Sequence, residues 1–255
     1  MARTEAGARL TQQHRARQVA VRAAALRDLT HLWRAVDPTD LARTIGPFSE
    51  GAGVAIQARH RDSAALASRY FRAFRAAEGV RGLMTIVAGD APALELAAGL
   101  VRGAGLAGII RARRAGFSTD AAARRGLVRA AGTTSDLVLS GGREVVTQAT
   151  SADPATQGGR WQRVTSDEPC SFCAALAAQG PVFTAETADF EAHDHCACQA
   201  EPAYDGTQLS PVAQRARELW QESTEGLSGD DAMKAFRKAH EKANVGLGPA
   251  PADMF

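Results

Sequence analysis

Pro169-Cys170-Ser171-Phe172-Cys173 and, twenty residues on, His193-Asp194-His195-Cys196-Ala197-Cys198 hold every cysteine of this 255-residue chain. Thiols gathered this tightly, with histidines among them, read as a metal site. Zinc prefers tetrahedral thiolate and imidazole donors, and two cysteines two residues apart chelate one ion from a single turn. The residues after Cys173, Ala174 to Ala178, read as a short helix, whose N-terminus would favour thiolate at Cys170. The candidate ligands are Cys170, Cys173, His193, Cys196 and Cys198. Two sets stand open: Cys170, Cys173 and His193 with one of Cys196 or Cys198, or all four cysteines. His195 reads as a hydrogen-bonded histidine outside the set. The competing readings are a pair of disulfides, or buried thiols without an ion.

Outward from that window, Trp161-Gln-Arg-Val164 and Pro181-Val-Phe-Thr184 predict short strands, and Cys198 to Tyr204 a third. Before it, the polar stretch from Ser151 to Gly159 separates the window from a long helical region. There Val19, Leu26 and Trp33, with Leu29 and Val36, draw an apolar seam that predicts a helix over about 12–36. A second helix is predicted over 39–77, with a break expected near Gly46-Pro47 and Gly51-Ala-Gly53. Its Leu66, Tyr70 and Phe74 stripe reads as core. Further helices are predicted over 91–113, 121–131 and 136–149, the last interrupted at Gly141-Gly142. Gly103-Ala-Gly105-Leu-Ala-Gly108 has the wrong spacing for a dinucleotide loop and reads as close helix packing. After Asp205-Gly206, helices are predicted over 212–219 and 231–243, with Lys234, Lys238 and Lys242 facing solvent.

The fold expected is therefore mainly α: a long-helix bundle (1–158), a small α+β zinc-knuckle-like module (159–205), and a C-terminal helical segment with a tail (206–255). No run of about eighteen apolar residues predicts a membrane span. The first ten residues lack the apolar core of a signal peptide, so a cytoplasmic place of synthesis is expected. The net charge of +2 gives little global drive toward nucleic acid, although the first 80 residues hold more arginines than carboxylates.

A catalytic zinc is the alternative to a structural one. Pro169-Cys-Ser-Phe-Cys173 matches half of the zinc deaminase signature. The other half needs an upstream His-x-Glu, and the nearest approach is His60-Arg-Asp62, with Asp in place of Glu. Asp194-His195 resembles an HNH nuclease pair without its downstream partners. A closed structural site, with no enzymatic activity, is the expectation, and a zinc-dependent nucleic-acid hydrolase or nuclease is the alternative.

Trp161-Gln-Arg-Val164, Cys170-Ser-Phe-Cys173, Gly180-Pro-Val-Phe183, and His193-Asp-His-Cys196-Ala-Cys198 with Glu201-Pro202 together resemble the C-terminal signature of MuF-like minor capsid proteins. These are head morphogenesis proteins of tailed phages, here of the actinobacterial type. Gln18, Leu32-Trp33 and the segment Ser68 to Arg75 extend the resemblance over about residues 10–205. It implies a virion protein inside the head, associated with portal protein and capsid interior. It also implies contact with packaged double-stranded DNA, help in assembly or DNA ejection, and no small-molecule substrate. Ala197 departs from the arginine common between the last two cysteines of that family.

Overall fold

A computed structural model describes residues 2–82, 84–156, 158–187, 190, 192 and 195–244. Four long helices come first: α1 (Glu5–Trp33), α2 (Leu41–Ala77), α3 (Leu94–Arg114) and α4 (Thr119–Ala152). Three of them start at a side-chain cap. Thr4, Asp40 and Ser118 each accept from a backbone N–H of the first turn, satisfying a donor that the helix leaves open. α2 packs on α1, α3 and α4, and α4 also on α1 and α3, so the four form one bundle.

The predicted helix boundaries moved in two ways. α1 begins at Glu5 instead of near residue 12, because Thr4 caps it and Glu5 complements its dipole. More instructive are the predicted breaks, which are absent. α2 runs unbroken through Gly46-Pro47 and Gly51–Gly53, and the two helices predicted over 121–131 and 136–149 are one helix. The glycines are places of close approach. A Cβ on Gly53 would stand 2.9 Å from Leu94 Cδ1, and one on Gly141 would stand 2.7 Å from the His60 carbonyl. Gly105 and Gly108 do the same work on α3, as expected: a Cβ on Gly108 would meet the α4 backbone at 2.8 Å.

The chain then forms β1 (Trp161–Val164), α5 (Ser171–Gln179), β2 (Gln199–Pro202), α6 (Pro211–Ser223) and α7 (Gly229–Asn244). β1 and β2 pair antiparallel, Trp161 opposite Pro202 and Gln162 opposite Glu201. The strand predicted at 181–184 is reduced to a single bridge, Trp161 to Phe183. Lys234, Lys238 and Lys242 are exposed, as predicted. Among the described residues no helix is long and apolar enough to cross a membrane.

Separate apolar clusters hold these parts. One fills the bundle end where Trp33, Phe48, Ile56, Val101 and Ile109 meet. A second crosses from the bundle into the module, joining Tyr70, Phe71, Phe74 and Val146 to Trp161, Phe183 and Tyr204. The predicted boundary near residue 158 thus lies between α4 and β1, with one core on both sides of it. A third cluster seals α5 against α6 and α7 through Ala174, Ala178, Ala216 and Phe236. Arg217 of α6 donates to the carbonyls of Ala178 and Gln179, closing the C-terminus of α5.

Candidate metal centre

The short helix α5 opens on Cys170, whose sulfur accepts from the Cys173 N–H at 3.4 Å. A cysteine thus takes the capping role usually given to Ser or Asp. One turn later Cys173 points inward and meets Cys196 and Cys198. The three sulfurs lie within 4.8 Å of one another and all three residues are buried. Cys173 and Cys196 are 3.6 Å apart, far beyond a disulfide bond of about 2.05 Å. Two thiolates on one tetrahedral zinc, each at about 2.3 Å, stand about 3.8 Å apart. The observed separation fits shared ligation of an ion. Cys170, exposed at the helix start, lies within hydrogen-bonding reach of the Cys173 sulfur. His193 lies outside the described residues.

The thiols share charge unevenly. Hydrogen bonds from Cys173 and Cys198, with help from Arg143, hold Cys196 far below the ordinary thiol range. Contact with Cys170, then with Cys196 and Cys198, pushes Cys173 far above it. Cys173 draws Cys198 down, but Cys196 and burial prevail and bring it up to about 12. Crowding the three sulfurs disfavours a second thiolate beside Cys196; a divalent cation would offset that repulsion and favour thiolate at each of its ligands.

The loop carrying Cys196 and Cys198 is held by arginines from elsewhere. Arg143 of α4, 2 % exposed, donates to the Cys196 carbonyl at 2.9 Å and the Cys198 carbonyl at 3.1 Å. A third bond, to Asp136 at 2.9 Å, orients it. Arg22 of α1 donates to the His195 carbonyl at 2.9 Å. His195 itself has a left-handed backbone, φ 67°, which turns the chain into Cys196. Phe190 is stacked on Trp161 and lies under the guanidinium of Arg163 at 4.1 Å and that of Arg143 at 4.8 Å. From α7, burial lowers His240, and Cys170 opposes that shift.

The motifs that frame the cysteines in sequence converge in space. Trp161 stacks on Phe183 at 4.8 Å, and its backbone N–H donates to the Phe183 carbonyl. Across the ladder Gln162 donates to Glu201 at 2.7 Å. Glu201 is fully buried, and Thr11 of α1 donates to its other oxygen while lying 2.8 Å from the Tyr70 hydroxyl. A buried carboxylate is tolerated because it is hydrogen-bonded from both sides. Asp153, also buried, pairs with Arg75 at 2.8 Å and accepts from the Tyr204 hydroxyl at 3.0 Å. These contacts dock the module on the bundle.

His60, weighed above as half of a deaminase motif, is buried in α2 with Nδ1 2.9 Å from the Leu137 carbonyl. Asp62 pairs with Arg59 at 3.2 Å. Both serve the bundle. The sequence reading missed Arg143, Arg22, Arg163 and Phe190. The one signal for Arg143 is its position: a charge directly after Gly141-Gly142, on the face of α4 that carries Leu139 and Val146.

No curated protein and no solved structure matches the chain. Residues 5–223 match a family described as VG15 protein, from the bundle's first turn to the end of α6. The chain belongs to this phage-associated family.

Proposed function

We propose that this chain is a structural minor capsid protein of a tailed phage, of MuF-like type. In this reading it acts inside the head near the portal, and the cysteine centre is a zinc staple with no catalytic turnover. The observation that carries the reading is the clamped centre: three buried thiols on a loop whose carbonyls are tied to α1 and α4 by Arg22 and Arg143. Such backbone clamps make a centre rigid and fix how the module sits on the bundle. Cys173, Cys196 and Cys198 would hold the ion, with Cys170 or His193 as fourth donor. When bound, zinc would neutralise the crowded thiolates and supply folding free energy to a segment with few large apolar side chains. Membership of a phage-associated family supports the virion role.

Charge supports a DNA contact. Residues 96–135 hold seven arginines and one carboxylate, Asp120, for a net +6. The whole chain is +2, so the other 215 residues carry −4. Five of those arginines, Arg111, Arg113, Arg114, Arg124 and Arg125, lie in the last turn of α3 and the first two turns of α4, where guanidinium groups would neutralise phosphates without reading sequence.

Two measurements test this. Elemental analysis of purified protein should give one zinc per chain, lost in Cys173→Ser. Peptide mass spectrometry of purified phage particles should find the chain inside DNase-treated heads. Absence from such particles, or multiple-turnover nucleic-acid cleavage by the zinc-loaded protein, would overturn the reading in favour of a zinc nuclease.

A further inference from the structure

The turn between α3 and α4 holds an exposed phenylalanine among arginines. Gly116, at φ 82°, donates its N–H to the Arg113 carbonyl at 3.0 Å, and the Phe117 N–H donates to the Ala112 carbonyl at 3.1 Å. These two bonds close α3, and Ser118 then caps α4, so Phe117 is fixed between two helix ends. The guanidinium of Arg125 lies over its ring, 4.1 Å from the centroid, and the residue stays 41 % exposed. It joins none of the apolar clusters among the described residues. No other aromatic occurs between Phe74 and Trp161. A helix end of this form favours an apolar residue at 117, and an aliphatic one would serve it as well. A single exposed apolar side chain is ordinary; its surroundings are what set this one apart.

Arg111, Arg113, Arg114, Arg124 and Arg125 are all exposed, and residues 111–125 hold one carboxylate, Asp120, for a net +4. The α1–α2 turn lies at the same end of the bundle, because Val36 and Ile45 share a cluster with Ala112 and Ala122. It brings Asp37 and Asp40, but also Arg34 and Arg43, so the excess stands. Arginines alone would hold the phosphates of a single strand or a duplex. The ring adds what phosphates do not need: a π-face, backed by a planar cation. Every nucleic-acid base can stack on such a platform. In a duplex the base faces are already stacked on their neighbours, and only unpaired bases have them to offer.

We propose that Phe117 and Arg125 form a stacking platform for an unpaired base, so that the α3–α4 turn binds single-stranded DNA in preference to duplex. The proposal rests on the DNA contact read above from charge. It is independent of the virion role and of the metal.

Fluorescence anisotropy of the full chain tests it, with a labelled single strand of about 20 nucleotides and the matching duplex at about 50 mM salt. The expected result is a preference for the single strand of about tenfold or more. Phe117→Ala and Phe117→Leu should each remove it, with duplex affinity and circular dichroism unchanged, and Phe117→Trp should keep it. Arg124→Gln should weaken both forms alike. A strand of abasic sites, with the phosphates and none of the bases, should bind Phe117→Ala and the parent chain equally. Equal affinity of the parent for the two forms, or a preference that survives Phe117→Ala, overturns the platform and leaves the DNA contact standing. A Phe117→Leu variant that binds single strand as tightly as the parent overturns stacking, because the ring then only fills apolar space. No binding of either form removes the DNA contact itself, and the platform with it.

Discussion

The two halves of α1 are buried for opposite reasons. From Ala25 through Leu29 to Trp33 the buried face is apolar and packs into the cluster around Phe48, Ile56 and Val101. From Thr11 through His14 to Gln18 the same face is equally buried but polar. Gln18 donates to the Ser63 carbonyl at 3.0 Å and accepts from its hydroxyl at 2.7 Å, and His14 stacks on Tyr70 at 4.2 Å. Apolar packing is tolerant of rotation and brings helices together; paired polar groups accept one arrangement only. The apolar half therefore builds the bundle, and the polar half, with Arg22, Glu201 and Arg143, sets where the cysteine module docks.

The largest test of that division is Arg143→Met. It leaves the Cys196 and Cys198 carbonyls without their donor, and the expected loss is about 1–3 kcal/mol for each carbonyl. Protease cutting and thiol labelling should then concentrate in residues 160–204. Leu29→Ala, at 1 % exposure in the apolar half, should cost about 2–5 kcal/mol in denaturant melts. At matched temperature below the melt it should leave thiol labelling unchanged. If both variants open the same segment, the two halves are not separable.

Acid should distinguish the halves too. Burial, aided by Arg17, brings His14 from 6.5 to about 3. Between those values the unfolded chain binds a proton that the folded chain refuses. This group therefore costs nothing above pH 6.5 and about 1.4 kcal/mol per unit below it, near 2 kcal/mol at pH 5. His14→Phe should flatten that part of the stability profile relative to the parent chain, whereas Leu29→Ala should shift the whole profile without changing its slope. The smallest effect is expected at the exposed Glu5–Arg9 pair on the outside of the polar half. Arg9→Ala should change stability by about 0.3–0.5 kcal/mol, less in high salt.

What could be read early follows the same line. The Leu29–Trp33 seam, the Tyr70 and Phe74 core, the β1 strand and the thiol cluster all announce themselves through local pattern: a period, a spacing, a residue type. The polar half of α1 has no such pattern. Thr11 meets Glu201, 190 residues away, and nothing near either residue says so. The glycines misled for a related reason. Gly53, Gly141 and Gly142 look like helix breakers in isolation, yet each is small because another helix occupies the space beside it. A Cβ on Gly142 would stand 2.5 Å from Gln18 Nε2, so that glycine belongs to the polar docking surface.

By itself the sequence determined that this is a helical protein with one thiol-rich module. Apolar periodicity and ligand spacing act over a few residues and need no knowledge of the rest of the chain. The tertiary structure decided that Cys173, Cys196 and Cys198 are the sulfurs brought together. It also decided that Arg22 and Arg143 clamp the loop between them, and that the bundle and module share one core. Those outcomes depend on desolvated polar groups finding partners far along the chain, and only the folded backbone brings those partners within reach.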